Sequence, residues 1–240
     1  MCGRYTLFSD FNTIDALTGS SQPNKTEGIF KKECLQETGH TLPSYNIAPS
    51  HVVPVILSLN TSTSTNQLIR ILMHWGFMGW KPKAGSRPLL PINTRSEEIV
   101  EKSMWRSVST QRCLIPMNGF YEWSGAKGNK TPHYIQASNN SVLFAAGFYS
   151  PLSPLGSYYS FSILTTKSNT TMQDIHDRMP VFLDPSEWGT WLDPKQDFNS
   201  LNYLLDPYPD DSLKSHIVST AIGNVRNNSP HLIQPELRLF

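Results

Sequence analysis

Residues 1–5 read Met1-Cys2-Gly3-Arg4-Tyr5, and a cysteine in second place has chemistry that no internal cysteine has. Aminopeptidases readily remove an initiator methionine that precedes a small residue, which would leave Cys2 with a free α-amine beside its thiol. The ordinary pKa values, about 8.5 for the thiol and roughly 7.7 to 8.0 for the amine, give each a usable reactive fraction at neutral pH. An aldehyde is the matching electrophile. The amine condenses with it to a Schiff base, and the thiol adds to the C=N bond and closes a five-membered thiazolidine. Taken by itself, a cysteine so close to a chain end is also compatible with a frayed terminus.

Four further stretches carry side chains suited to chemistry. Tyr45-Asn46-Ile47-Ala48-Pro49-Ser50 sets an amide beside a proline that fixes the backbone, and it also reads as a turn leading into a strand at Val52. The segment from His74-Trp75-Gly76-Phe77 through Trp80, Lys81 and Lys83 to Asn93-Thr94-Arg95 interleaves aromatics with cations, a pattern that can stack bases and hold phosphates. Trp75 and Phe77 suit a core equally well. Glu122 stands among aromatics in Gly119-Phe120-Tyr121-Glu122-Trp123, where a buried carboxylate could do acid/base work and an exposed one would only face solvent. Asp174-Ile175-His176-Asp177-Arg178-Met179-Pro180 crowds an imidazole, carboxylates and a guanidinium together. Histidine is the natural proton shuttle near neutral pH, and arginine can clamp a phosphate in a bidentate fork. A Cys2/His176 pair also fits a thiol hydrolase with His176 as base, but the terminal place of Cys2 favours chemistry that uses its amine.

The elements that must position these groups are mostly strands. Phe8, Phe11, Ile14 and Leu17 have helical spacing behind Ser9 and Asp10 as possible caps, so a short helix is expected over 8–17. Residues 20–28 and 38–44 read as loops. The runs 52–59 and 67–75, separated by the Ser/Thr/Asn-rich stretch 60–66, read as a hairpin. Residues 93–105 read as helical, with Ser96 ahead of Glu97 and Glu98. Runs 112–123, 133–136, 141–149 and 158–165 read as successive strands joined by turn formers, followed by helices over 185–192 and 200–205 and a last strand over 214–218. The expected fold class is α+β, a β-rich core with peripheral helices, in one domain over 1–240.

Bulk properties restrict the partners. With 38% hydrophobic and 16% charged residues the chain has the make-up of a soluble globular protein, and a net charge of +1 means that an anionic partner must be held by a local patch. Cys2, Cys34 and Cys113 offer neither a disulfide framework nor zinc-ligand spacing, which fits a reducing compartment. No leader-like apolar segment and no run long enough to cross a bilayer is seen, so an intracellular, soluble protein is expected. No cofactor or metal motif is apparent.

Taken in order, Met1-Cys2-Gly3-Arg4, Tyr45-Asn46-Ile47-Ala48-Pro49, Ile92-Asn93-Thr94-Arg95, Arg112-Cys113-Leu114-Ile115-Pro116, Tyr121-Glu122-Trp123, Ile175-His176-Asp177-Arg178-Met179-Pro180 and Ala221-Ile222-Gly223-Asn224-Val225 resemble the SRAP (SOS-response-associated peptidase) family over nearly the whole chain. The resemblance implies a barrel-like antiparallel core and a monomer that binds single-stranded DNA containing an abasic site. The ring-opened sugar exposes an aldehyde, to which Cys2 would link covalently once Met1 is removed, by autoproteolysis or an aminopeptidase. By the same resemblance Asn93 would hold the terminal amine or the sugar, Glu122 would move protons around Cys2, and His176 would protonate the sugar ring oxygen. Arg4, Arg95 and Arg178 would grip phosphates, and Asn46, Pro49, Trp80, Trp123 and Thr165 would line the DNA channel. A Schiff base also acidifies the neighbouring carbon, so an abasic-site lyase reaction is an expected side activity. Two other classes remain open from the residues: an N-terminal-nucleophile or thiol hydrolase of small amides, and a non-catalytic reader of modified DNA.

Overall fold

Alternating apolar runs separated by turn residues fold here into two sheets that share one core. The computed structural model describes residues 2–21, 42–59, 67–79, 85–87, 89–126, 128–152 and 158–236. In chain order the elements are β1 (Arg4–Leu7), α1 (Phe11–Thr18), β2 (Ser44–Ile47), β3 (Val52–Leu59), β4 (Gln67–Trp75), β5 (Asn93–Arg95), α2 (Ser103–Arg106), β6 (Arg112–Met117) and β7 (Gly119–Ser124). They continue with β8 (Thr131–Ala137), β9 (Leu143–Ser150), β10 (Tyr159–Lys167), β11 (Arg178–Pro180), α3 (Pro185–Leu192) and β12 (Leu213–Ile217). Short 3-10 helices cover Ser96–Glu98, Phe198–Leu205, Thr220–Gly223 and Pro230–Ile233.

The larger sheet closes on itself. β10 pairs with β4, β4 with β3, β3 with β6, β6 with β9, and β9 with β10 again, which makes a barrel whose β10–β4 seam is parallel and whose other pairings are antiparallel. Further along its length β10 also takes β5 in parallel and β11 antiparallel. The second sheet, ordered β12-β8-β7-β1-β2, is antiparallel throughout. Tyr5, Leu7, Ile47 and Phe120 from its inner face join Val55, Ile56, Met73, Trp75, Ile115, Phe148 and Phe161 of the barrel in one buried cluster. Its outer face carries a smaller cluster of Tyr121, Tyr134, Val218, Ile222 and Leu232. Among the described residues no helix is long and apolar enough to cross a membrane.

The chain passes from barrel to sheet at Asn118. The apolar run 112–123 reads as one strand, yet it divides into β6 and β7 in different sheets. The Asn118 side chain accounts for the break: its oxygen accepts from the amides of Phe8 and Ser9 at 2.8 and 3.0 Å, and its nitrogen donates to Ser9 Oγ at 2.9 Å. Gly119 follows because a Cβ there would lie 2.5 Å from the Ile135 carbonyl oxygen and from Tyr134 Oη.

Several boundaries differ from the sequence reading for local reasons. The helix expected over 8–17 begins at Phe11, since Asp10 accepts the Thr13 amide at 2.8 Å as its cap, and residues 4–7 form β1 instead of a frayed end. Arg70 of β4 anchors this helix through a bidentate pair with Asp15 at 2.9 and 3.0 Å. The helix expected over 93–105 is replaced by β5, a 3-10 turn and the short α2. Pairing to β10, reinforced by a 2.9 Å hydrogen bond between Thr94 and Ser162, outweighs the local helical propensity there. β3 and β4 form the expected hairpin, while its connecting stretch 60–66 lies outside the described residues.

Candidate active site

Cys2 is fully buried at the mouth of β1, the strand held between β2 and β7. Its carbonyl accepts a 2.8 Å hydrogen bond from Asn93 Nδ2, and its thiol makes a long contact, 3.7 Å, to the Arg4 carbonyl. Asn93 comes from β5, whose register against β10 sets Asn93 beside Ile163 and Arg95 beside Thr165. The amide oxygen of Asn93 is buried without a hydrogen-bond partner among the described residues, so an acceptor is left for a ligand.

Glu122 shares the inward face of β7 with Phe120 and is 3% exposed. Burial, and after it the negative charge of Glu122, pushes the Cys2 thiol well above the usual thiol range. At neutral pH the sulfur is therefore S–H. Such a thiol attacks only when a base takes its proton, and Glu122 is the carboxylate close enough to act on it electrostatically, opposed by the positive amino terminus. The phenol of Tyr5 is likewise buried and pushed up, by burial first and by Cys2 second, and its hydroxyl has no hydrogen-bond partner among the described residues.

The Asp174–Pro180 stretch ends in β11, whose register with β10 joins it to this group. Arg178 pairs with Lys167, and Pro180 with Thr165. His176 Nδ1 lies 3.0 Å from the Arg178 amide and 2.9 Å from Asp177 Oδ1. The first contact needs a lone pair on Nδ1 and the second an N–H there, so Nδ1 makes one or the other according to where the ring carries its proton.

The three arginines differ in commitment. Arg178 is 9% exposed; it grips Glu97 bidentately at 2.7 and 2.8 Å and donates to the Thr165 carbonyl at 2.6 Å. Arg4 donates to Asn46 Oδ1 at 2.7 Å and to the carbonyls of Ile222 and Gly223 at 2.8 and 3.2 Å. Arg95 has a side chain 53% exposed and only a loose 3.6 Å approach to Glu98. It is the most accessible cation of the three.

The channel residues named from the sequence fall into separate places. Asn46 is buried and knots β2 to the C-terminal segment, its nitrogen donating to the carbonyls of Asn224 at 3.0 Å and Asn227 at 2.9 Å. Pro49 is half-buried in the turn after β2, where Ser50 takes a positive φ of 75° and its amide donates to the Trp75 carbonyl at 2.8 Å. Trp123 is half-buried on the outer face with Tyr45 and Ile233. Thr165 is fully buried and donates to the Thr94 carbonyl at 3.3 Å. Trp80 lies outside the described residues. The fold thus gathers Cys2, Asn93 and Glu122, and ties Thr165 and Arg178 to them through β10. Glu97 and Tyr5 were not singled out from the sequence; the carboxylates of Glu97 and Glu98 close behind Arg95 were the available signal for the first. Among the described residues no group of three or more His, Cys, Asp or Glu side chains is placed to hold a metal ion.

A closed barrel backed by an antiparallel sheet, with a buried cysteine at the start of the chain held by an asparagine and faced by a glutamate, defines a class of protein that comparison with known proteins identifies. Residues 1–225 match the SOS response associated peptidase (SRAP) family, and the chain belongs to it. It is 36% identical over 98% of its length to the abasic site processing protein YoqW of Bacillus subtilis, covering 99% of that protein. It is 35% identical to YoaM of the same organism, also called an abasic site processing protein, with 98% and 99% covered. Among solved structures, a protein from Bacteroides thetaiotaomicron shares the fold with a TM-score of 0.73 at 20% identity, over 98% of this chain and all of that one.

Proposed function

We propose that this chain is an abasic-site processing protein that captures the lesion covalently in single-stranded DNA. The observation that carries this reading is the buried Cys2 held by Asn93 and faced by Glu122, in a chain whose relatives are named for abasic-site processing. With Met1 removed, the Cys2 amine condenses with the aldehyde of the ring-opened sugar. The thiol then adds to the C=N bond and closes a thiazolidine, which protects the strand from breakage. Glu122 moves the protons of both steps, Asn93 holds the Cys2 backbone or the sugar, and His176 protonates the ring oxygen to open the sugar. Arg95 meets a phosphate in the ground state; Arg178 does so only by parting from Glu97, and Arg4 only by loosening its hold on Asn46. β-Elimination from the Schiff base is a competing lyase reaction. We read the protein as an intracellular monomer acting without a cofactor.

The test is denaturing electrophoresis after incubating untagged protein, with Met1 shown to be absent, with single-stranded DNA carrying one abasic site. A heat-stable, slower band is expected with the abasic strand only, and it should vanish in Cys2→Ala. Cys2→Ser should still be trapped by borohydride, because it retains the amine, and yet form no heat-stable ring. An adduct that survives Cys2→Ala refutes the linkage.

A further inference from the structure

Glu122 is buried, and so is the cysteine whose protons it handles, which leaves open how a proton leaves the site for water. On β8, His133 stands directly across from Glu122 in the ladder, and Ser124 across from Thr131. Residues opposite one another in an antiparallel pair project to the same face, with Cβ atoms about 4.5–5.5 Å apart. That face is the inner one here, since the neighbouring pair Phe120 and Ile135 belongs to the main core. Ser124 Oγ lies 2.8 Å from His133 Nε2, on the diagonal of the same face. Both residues are half-buried, and Ser124 lies on the side of the Glu122–His133 pair toward the exposed Gly125.

We propose that Ser124 and His133 form the proton path between Glu122 and solvent, making His133 a positioning and relay residue for the reaction at Cys2. An imidazole with one N–H and one lone pair takes a proton on one nitrogen and releases another from its other nitrogen, so it can pass charge without turning. The inference rests on the proposed capture chemistry, whose balance requires such an exit. The N-terminal ammonium, the thiol and the aldehyde give the thiazolidine, one water and one proton. The C–N and C–S bonds form at the former carbonyl carbon, its oxygen leaves as water, and the surplus proton passes from Glu122 to His133 and then through the Ser124 hydroxyl.

Among the described residues, Glu122 is the carboxylate that the ladder sets directly opposite His133, while the Glu236 amide bonds the carbonyl of Ile217 on the far side of β12. On the inner face β7 contributes Glu122 and Ser124, with the Cys2 thiol beyond the carboxylate, while β12 contributes Ser215 and Ile217. Arg4, Lys214 and His216 belong by register to the outer face, where His216 meets the Tyr134 ring edge-on at 5.8 Å.

The experiment measures single-turnover adduct formation by the mature protein between pH 5.5 and 9, comparing wild type with His133→Phe, His133→Gln and Ser124→Ala. His133→Phe should slow the rate at least about tenfold, less than the roughly hundredfold low end for a group that transfers the proton directly, because His133 acts through Glu122. Its pH profile should lose the inflection assigned to the imidazole, and added imidazole should restore part of the rate. His133→Gln keeps a side chain able to bond Ser124 and should be as slow as His133→Phe, while Ser124→Ala should be less affected. Wild-type rates and profile in the His133 variants, or full rescue by glutamine, overturn the relay and leave the capture chemistry standing. A wild-type protein that forms no adduct overturns both.

Discussion

Asn46 offers the sharpest test of whether residues near the site act by touching DNA or by holding the scaffold. The side chain is 1% exposed, and it accepts from Arg4 at 2.7 Å while donating to the Asn224 and Asn227 carbonyls at 3.0 and 2.9 Å, with a longer contact to Ile222 at 3.4 Å. Asn46→Ala removes one charge-assisted hydrogen bond, about 1.5–3 kcal/mol, and two neutral ones of about 1 kcal/mol each. Water reaches the C-terminal segment and compensates part of the loss, which leaves about 3 kcal/mol. For a chain of this size that lowers Tm by roughly 6–12 °C. Urea unfolding of wild type and variant gives the difference directly, provided the slope against denaturant is unchanged. Arg4 should lose its anchor at the same time, so an Arg4→Lys/Asn46→Ala double variant should be less unstable than the sum of the single changes. A loss below about 0.5 kcal/mol, the range of ordinary surface substitutions, would refute the claim that Asn46 ties β2 to the C-terminal segment.

Two other perturbations read the scaffold. Gly119→Ala forces a methyl to within 2.5 Å of the Ile135 carbonyl oxygen, so about 3 kcal/mol of stability should be lost, and unfolding at the wild-type midpoint would contradict the packing at the barrel-to-sheet crossing. The Arg178 hydrogen bond holds the Glu97 carboxyl below its usual range. A carboxyl with a depressed folded pKa stabilises fully above its unfolded pKa of about 4.3, and that contribution disappears as pH falls through the lower folded value. Wild type should accordingly lose more stability than Glu97→Gln on acidification from pH 6 to 3. The difference should be about 1 kcal/mol or less, because Glu97 is 47% exposed and water screens the pair; parallel acid-unfolding curves would refute the linkage.

How legible the molecule was in its sequence depended on how local the deciding contacts are. The β3–β4 hairpin was readable because its pattern and its pairing partner are adjacent. β5 was not, because the partner that makes 93–95 a strand lies on β10, about seventy residues on, and Glu97, Glu98, Ile99 and Val100 make the intervening sequence look helical. The division at Asn118 was hidden in a continuous apolar run, since it arises from amides of Phe8 and Ser9. Cys2 and Glu122 were marked out by residue type and Asn93 by the resemblance alone, and their grouping in space was not readable because it is made by β1, β5 and β7 from distant parts of the chain. The commitment of Arg4 to Asn46 and of Arg178 to Glu97 was illegible, because a sequence shows that a cation is present and not which anion or carbonyl already holds it.

The enclosure of Cys2 sets a clock on the nascent chain. The residue is made second, yet its enclosure waits for Asn93, Glu122 and the β10 strand through Thr165. At about 5–20 residues per second, roughly 8–33 s pass between synthesis of residue 2 and residue 165. From the emergence of the terminus from the ribosome to the end of that interval, an aminopeptidase would find the first peptide bond open. Once β1 is seated between β2 and β7, the same bond adjoins a residue with no exposed surface. Under the proposed chemistry, if an aminopeptidase and not autoproteolysis removes Met1, the proportion of molecules with a free Cys2 amine is set by a race between trimming and folding, and slower translation or a slower-folding variant should tilt it toward trimming.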